Sequence, residues 1–266
     1  MMRAKRTVMN AWRTAAMTLV ALSALSAASA QYPNLVQDPS FETTISDNIY
    51  NIPPTTWSAG QRFGGSPDGG GPTEPWEVIF GSIDIVRAPG LGGPPVPGNN
   101  QFVGLNGYNR GAIRQEVEVT VGGLYDFSFY YGGYAAWIDA DGNQQDAHPN
   151  YVLSAEARII RRNADNTTSL IRSAVVSWSI EAGGFNGSWI NTPHTAPVPL
   201  SAGIYRIEFE TLHFGGVDSN GNTIPDYFGP RIDNVNLSLV PEPASMVALG
   251  AGLAGLLGLR RRRARG

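Results

Sequence analysis

Two short stretches hold oxygen donors at spacings that suit a hard cation. In "DSNGNTIPD", Asp218, Asn220, Asn222 and Asp226 fall at positions 1, 3, 5 and 9, and Gly221 permits the turn. Calcium takes about six to eight oxygens, and donors at alternate positions wrap a loop around one ion. "DADGNQQD" offers a similar set in Asp139, Asp141, Asn143 and Asp146. Both stretches also read as polar turns closed by Asx hydrogen bonds. The first carries only two carboxylates, so any calcium affinity there is weak. Calcium is the one cofactor the sequence suggests.

A second chemistry is sugar contact. "YYGGYAAWID" places Tyr134 and Trp137 in a loop after Tyr130 and Tyr131. Sugar rings dock flat on such faces through their C–H groups; the alternative is packing within the loop. In "GPRIDNV", Arg231 is a planar donor of the kind that holds sugar hydroxyls or carboxylates, or else forms a salt bridge at the rim. Asp233 alternates in phase with Val235, Leu237 and Leu239. It therefore faces inward, where a carboxylate must be hydrogen-bonded or metal-bound.

Catalysis has thin support. Glu116/Glu118 and Glu208/Glu210 lie two apart, about 7 Å along a strand, a separation compatible with a glycosidase pair. Both pairs occupy the polar side of an unbroken alternation, which marks an ordinary solvated face. His148, His194 and His213 lack metal-ligand spacing. Neither a nucleophile elbow nor a phosphate-binding glycine loop occurs. The expectation is a protein that is not an enzyme.

The elements that must position these residues are strands. In "AIRQEVEVTV", Ile113, Gln115, Val117, Val119 and Val121 point one way, and Arg114, Glu116, Glu118 and Thr120 the other. "LYDFSFYY" sets Tyr125, Phe127, Phe129 and Tyr131 on one face, while "IYRIEFETL" buries Tyr205, Ile207 and Phe209. Further strands are expected at about 77–86, 101–105, 151–161, 170–180 and 231–239. Asn34 to Phe41 reads as a first edge strand, with Phe41 plugging the core. Trp178 also belongs in the core. One polar face per strand indicates antiparallel sheets, so the fold class is all-β, an antiparallel sandwich or barrel.

Composition narrows the partners. Residues 31–240 carry ten basic and twenty-one acidic groups, a net −11, and all ten cations are arginine. Such a surface repels phosphate backbones, so no nucleic acid is expected. Cysteine is absent, which excludes disulfides, thiol catalysis and zinc–thiolate sites.

The two ends read as processing segments. Arg3, Lys5, Arg6 and Arg13 form a basic region before an apolar stretch, and Ala28 and Ala30 give the small-x-small pattern that signal peptidase accepts. Residues 1–30 are thus expected to be a signal helix, removed on export. At the other end, Pro241, Glu242 and Pro243 precede an apolar run from Met246 to Leu259 and the cations Arg260, Arg261, Arg262 and Arg263. The run is 14 residues, about 21 Å of helix at ~1.5 Å per residue, against a hydrocarbon core of roughly 30 Å. It crosses a membrane only marginally, and the arginines hold its end on the cytoplasmic side.

This triplet, short transmembrane helix and arginine run, 241–266, resembles the PEP-CTERM sorting signal of Gram-negative bacteria. The resemblance implies transient inner-membrane anchoring, recognition by an exosortase, removal of the tail, and delivery to the surface or the exopolysaccharide matrix. Between the ends, "NLVQDPSFET", "PWEVIFGSIDIV", "GAIRQEVEVTVGGLYDFSFYYGG" and "GPRIDNVNLSLV" are similar to galactose-binding-like jelly rolls of the choice-of-anchor C type. That similarity implies a jelly-roll β-sandwich at 31–240 whose relatives associate with polysaccharide. The combined expectation is an extracellular, carbohydrate-binding protein. Its alternatives are a structural matrix protein without a sugar site and, more distantly, a glycoside-active enzyme.

Overall fold

The computed structural model describes residues 32–43, 55–63, 73–87, 98–107, 109–133, 136–138, 144–146, 152–179, 189–192, 196–212, 216–217, 223–224, 229–240 and Gly252. Asn34–Ser238 forms one compact unit. The expected signal helix, and the tail apart from Gly252, lie outside the described residues. Among the described residues no helix is long and apolar enough to cross a membrane.

Two sheets make a sandwich. The first runs in the spatial order β1 (Thr55–Ser58), β4 (Ser82–Arg87), β5 (Gln101–Gly104), β17 (Arg231–Leu239), β7 (Gly123–Gly132) and β12 (Ile190–Asn191). A short strand, β13 (Val198–Leu200), also pairs with β7. The second sheet runs β11 (Thr168–Ser179), β10 (Val152–Arg162), β14 (Gly203–Thr211), β6 (Ala112–Val119), β3 (Trp76–Phe80) and β2 (Arg62–Phe63). Two ribbons stand apart, β8 (Ala136–Ile138) with β9 (Gln144–Asp146), and β15 (Gly216–Val217) with β16 (Thr223–Ile224). The chain passes from one sheet to the other between β1 and β2, β3 and β4, β5 and β6, β6 and β7, β7 and β10, β11 and β12, β13 and β14, and β14 and β17. This is an antiparallel jelly-roll sandwich: the alternating strands imply its two-sided sheets, and the family resemblance its jelly-roll form.

The alternation works as expected. Ile113, Val117 and Val119 are buried on β6, Phe127 and Phe129 on β7, and Tyr205, Ile207 and Phe209 on β14. Val121 lies beyond the end of β6 and is exposed. The sheets meet through aromatic rings: Phe129 stands edge-on to Phe209 with centroids 4.9 Å apart, and Trp76 packs on Phe41 at 5.2 Å. Aromatic pairs of this kind add about 0.5–1.5 kcal/mol beyond area burial. Trp178 is fully buried, as its period-two position requires.

Two expectations change. The run expected as one strand at 77–86 is two strands in different sheets, hinged at Gly81. Its φ of +57° favours glycine, and a Cβ there would lie 1.6 Å from the Arg110 carbonyl oxygen. The segment Asn34 to Phe41 is not a strand. Asp38 and Phe41 take φ values of 42° and 58°, which break the extended path. The segment still follows β17: the Leu35 amide donates to the Leu237 carbonyl, and the Val235 amide to the Pro39 carbonyl. Phe41 is fully buried and fills the core position expected of it.

Candidate functional site

The outer face of the second sheet carries a row of alternating charge. Register places Arg62 opposite Glu77, Glu77 opposite Arg114, Arg114 opposite Glu208, and Glu208 opposite Arg158. Opposite charges directly across a ladder attract, and the side chains close the row. Glu77 is reached by Arg62 at 2.8 Å and by Arg114 at 3.2 Å. One Nη2 of Arg158 bridges Glu208 at 3.4 Å and Glu210 at 2.7 Å. In a second row Arg206 faces Glu116 and bonds it through Nε at 3.0 Å, with Arg162 adding Nη1 at 3.2 Å. Isolated surface pairs contribute about 0–1 kcal/mol each. Here several carboxylates are shared between two guanidiniums, which fixes both partners. Bridging of this kind needs a planar fork rather than a point charge, and it gives a physical use for the all-arginine composition.

This arrangement also engages the paired carboxylates. Glu208, expected on a solvated face, is 7% exposed, covered by the arginines across the ladder. The Arg158 guanidinium occupies the space between Glu208 and Glu210, where a glycosidic bond would have to enter. Glu116 is held by two arginines in the same way.

Where β2 and β3 approach β6 and β14, the charged rows border a cleft of ≈ 380 Å³. Arg62, Arg114, Arg162 and Arg206 line it together with Glu74, Glu77 and Glu116. Among the described residues, four cations against three carboxylates leave it net positive on a body of net −11. Arg62 anchors the rim through Nη1 to the Glu74 carbonyl at 3.0 Å. Glu74 itself is 6% exposed, and its Oε2 is buried without a hydrogen-bond partner. Gln37 adds a polar wall, tied to Gln115 by a reciprocal pair: the Gln37 amide donates to Gln115 Oε1 at 2.6 Å, and Gln115 Nε2 donates to the Gln37 carbonyl at 2.8 Å. The cleft can take up a polar ligand through charge-assisted hydrogen bonds.

A second polar node lies on the other sheet, and it is closed. Arg231, expected at a rim or against a sugar, is fully buried. Its guanidinium lies 4.7 Å from the Trp189 ring centroid and 5.0 Å from that of Phe102, a stacked cation–π setting. Position at the start of β17, beside Gly104 of β5, draws the side chain under these rings. Asp233 is also fully buried, and Asn99 Nδ2 donates to both its carboxylate oxygens at 3.0 Å. Hydrogen bonding thus satisfies this inward carboxylate.

Of the other candidates, Trp137 lies in β8 opposite Gln145, and Asp146 in β9 opposite Ala136. Tyr134, Asp139, Asp141, Asn143, Asp218, Asn220, Asn222 and Asp226 lie outside the described residues, as do Pro241, Glu242, Pro243 and Arg260 to Arg263. Among the described residues, no group of three or more His, Asp or Glu side chains is placed to hold a metal ion. Sequence reasoning passed over the cleft. Its one available signal was the repeated Arg-x-Glu on outward positions, Arg114/Glu116 and Arg206/Glu208.

Among solved structures, the chain is similar to TmCBM61 in complex with β-1,4-galactotriose, at 15% identity and TM-score 0.39, covering 79% of this chain and 99% of that one. It is similar to the CBM22-1 xylan-binding domain from Paenibacillus barcinonensis Xyn10C, at 12% identity and TM-score 0.39, covering 65% and 90%. Arthrobacter globiformis T6 isomalto-dextranase complexed with panose matches at 14% identity and TM-score 0.34, over 69% of this chain and 23% of that one. These scores are low, and the two-layer architecture rests on the strand pairing above. No curated protein matches the chain significantly. Residues 239–263 match the PEP-CTERM protein-sorting motif, and the chain therefore carries a sorting signal behind its β-sandwich.

Proposed function

We propose that the protein is exported, held for a time in the inner membrane by its tail, and handled by an exosortase-type enzyme. It is then left at the cell surface or in the exopolysaccharide matrix, where the sandwich binds polysaccharide without turning it over. The single observation that carries this reading is the sorting motif at 239–263. The jelly-roll architecture and the polar cleft support the binding half, and the arginine-bridged Glu208 and Glu210 speak for a binding rather than a hydrolytic role.

Mass spectrometry of the chain recovered from the exterior of its native host tests the sorting half. The expected product lacks Arg260 to Gly266, and Glu242→Gln is expected to leave the full-length chain in the membrane fraction. An exterior protein that still carries the arginine run would overturn the proposal. A glycan array probed with the exported protein tests the other half: binding to no polysaccharide would leave a purely structural matrix protein. Shortened glycan products that vanish with Glu208→Gln and Glu210→Gln would restore the enzymatic alternative.

A further inference from the structure

We propose that the cleft bordered by Glu74, Arg162 and Arg206 takes a uronate unit, a sugar bearing a carboxylate, from an acidic polysaccharide. The inference rests on the polysaccharide-binding reading above and names its ligand class. Two unmet demands point the same way. Glu74 Oε2 is a buried acceptor that lacks a donor, and an unsatisfied buried carboxylate oxygen is costly. Glu74 lines the cleft, and a turn of its carboxylate toward that space lets a ligand hydroxyl supply the donor. Opposite in chemistry are the arginines. Among the described residues, Arg206 uses Nε on Glu116, and Arg162 uses Nη1 on the same carboxylate. Both Nη groups of Arg206 and Nη2 of Arg162 stay available, on side chains 23% and 32% exposed. A planar fork with free N–H groups pairs with a carboxylate through two parallel hydrogen bonds.

A neutral sugar meets the first demand only, and a small carboxylate ion the second only. A uronate meets both with one ring. Cleft size agrees, since ≈ 380 Å³ falls within the roughly 300–1,000 Å³ of small-ligand sites. Charge agrees as well: one net positive charge among the described lining residues balances one carboxylate and leaves a dianion undercompensated. Among the described residues no aromatic side chain lines the cleft, so affinity there comes from these polar groups rather than from ring stacking. The acidic body does not forbid an acidic ligand, because fields beyond a Debye length of about 8 Å are screened at physiological salt.

The test is calorimetric titration of the full chain in detergent micelles with three probes: a galacturonate oligomer, its methyl ester, and the neutral galactose oligomer. The acid oligomer is expected to bind about tenfold more tightly than its ester, a difference of about 1.4 kcal/mol. Arg206→Gln is expected to remove that preference, with Arg206→Lys restoring part of it. Glu74→Gln is expected to weaken acid and ester alike, because it touches the hydroxyl contact. Thermal melts within a few degrees of the parent show that each variant is folded. Equal affinity for acid and ester, or affinities unchanged by both Arg206→Gln and Glu74→Gln, would overturn the uronate assignment and leave polysaccharide binding standing. Absence of binding to all three probes, together with an empty glycan array, would remove both.

Discussion

Asp38 shows how one residue can work against the fold that needs it. It holds a turn with φ 42°, and burial pushes its carboxyl above the ordinary value of 3.8, although hydrogen bonds from Thr43 pull the other way. Among the described residues its Oδ2 has no hydrogen-bond partner. A carboxyl whose folded pKa is raised binds protons more readily in the native chain. Its stabilising contribution is therefore complete below the unfolded value and is lost as pH rises through the raised one. Asparagine keeps an oxygen for the Thr43 amide, seen at 3.2 Å, and carries no charge. Asp38→Asn is expected to raise Tm at neutral pH and to leave it unchanged at about pH 3. A neutral-pH melt below that of the parent would show that the ionised form is the one the turn requires.

Strand starts repeat a small device. β7 opens on "VGGLY" and β14 on "SAGIY", and each tyrosine hydroxyl turns back four residues along the chain. Tyr125 donates to the Val121 carbonyl at 2.6 Å, and Tyr205 donates to the Ser201 carbonyl at 2.9 Å while accepting from the Ser201 amide at 3.2 Å. These corners pin the entry to two inner strands. Tyr205→Phe leaves both Ser201 groups without this partner and is expected to cost about 1–2 kcal/mol, read as a lower urea midpoint; an unmoved midpoint would refute the corner. At this scale the sequence was readable wherever one face of a strand meets solvent, as on β6, β7, β14 and β17, because period two then reports burial directly. It misled where chain direction changes without changing hydrophobicity. "WEVIFGSIDIV" reads as one strand because nothing in its pattern reveals that Gly81 passes the chain to the opposite sheet. The cleft was illegible for a related reason. Arg62, Arg114 and Arg206 are far apart in sequence and meet only through the ladder, and Glu208 is buried by guanidinium stems from neighbouring strands.

For the whole molecule, charge is divided unevenly along the chain. Residues 31–266 carry fifteen basic and twenty-two acidic groups, net −7, whereas 31–240 carry ten and twenty-one, net −11. Removing the tail thus makes the body more acidic. The exported form is expected to focus at a lower isoelectric point, and to leave an anion exchanger later, than the signal-cleaved form that keeps its tail. Coincident elution of the two would contradict removal. The choice of arginine for every cation of the sheet face has a further outcome. Lysine occurs once, at Lys5, and cysteine nowhere. Past residue 30, no side chain offers a primary amine or a thiol. Aldehyde ends of sugars therefore find no lysine for Schiff-base glycation, and amine-directed crosslinkers reach only the chain terminus. A protein built this way can sit among reducing carbohydrates for long periods without browning onto them.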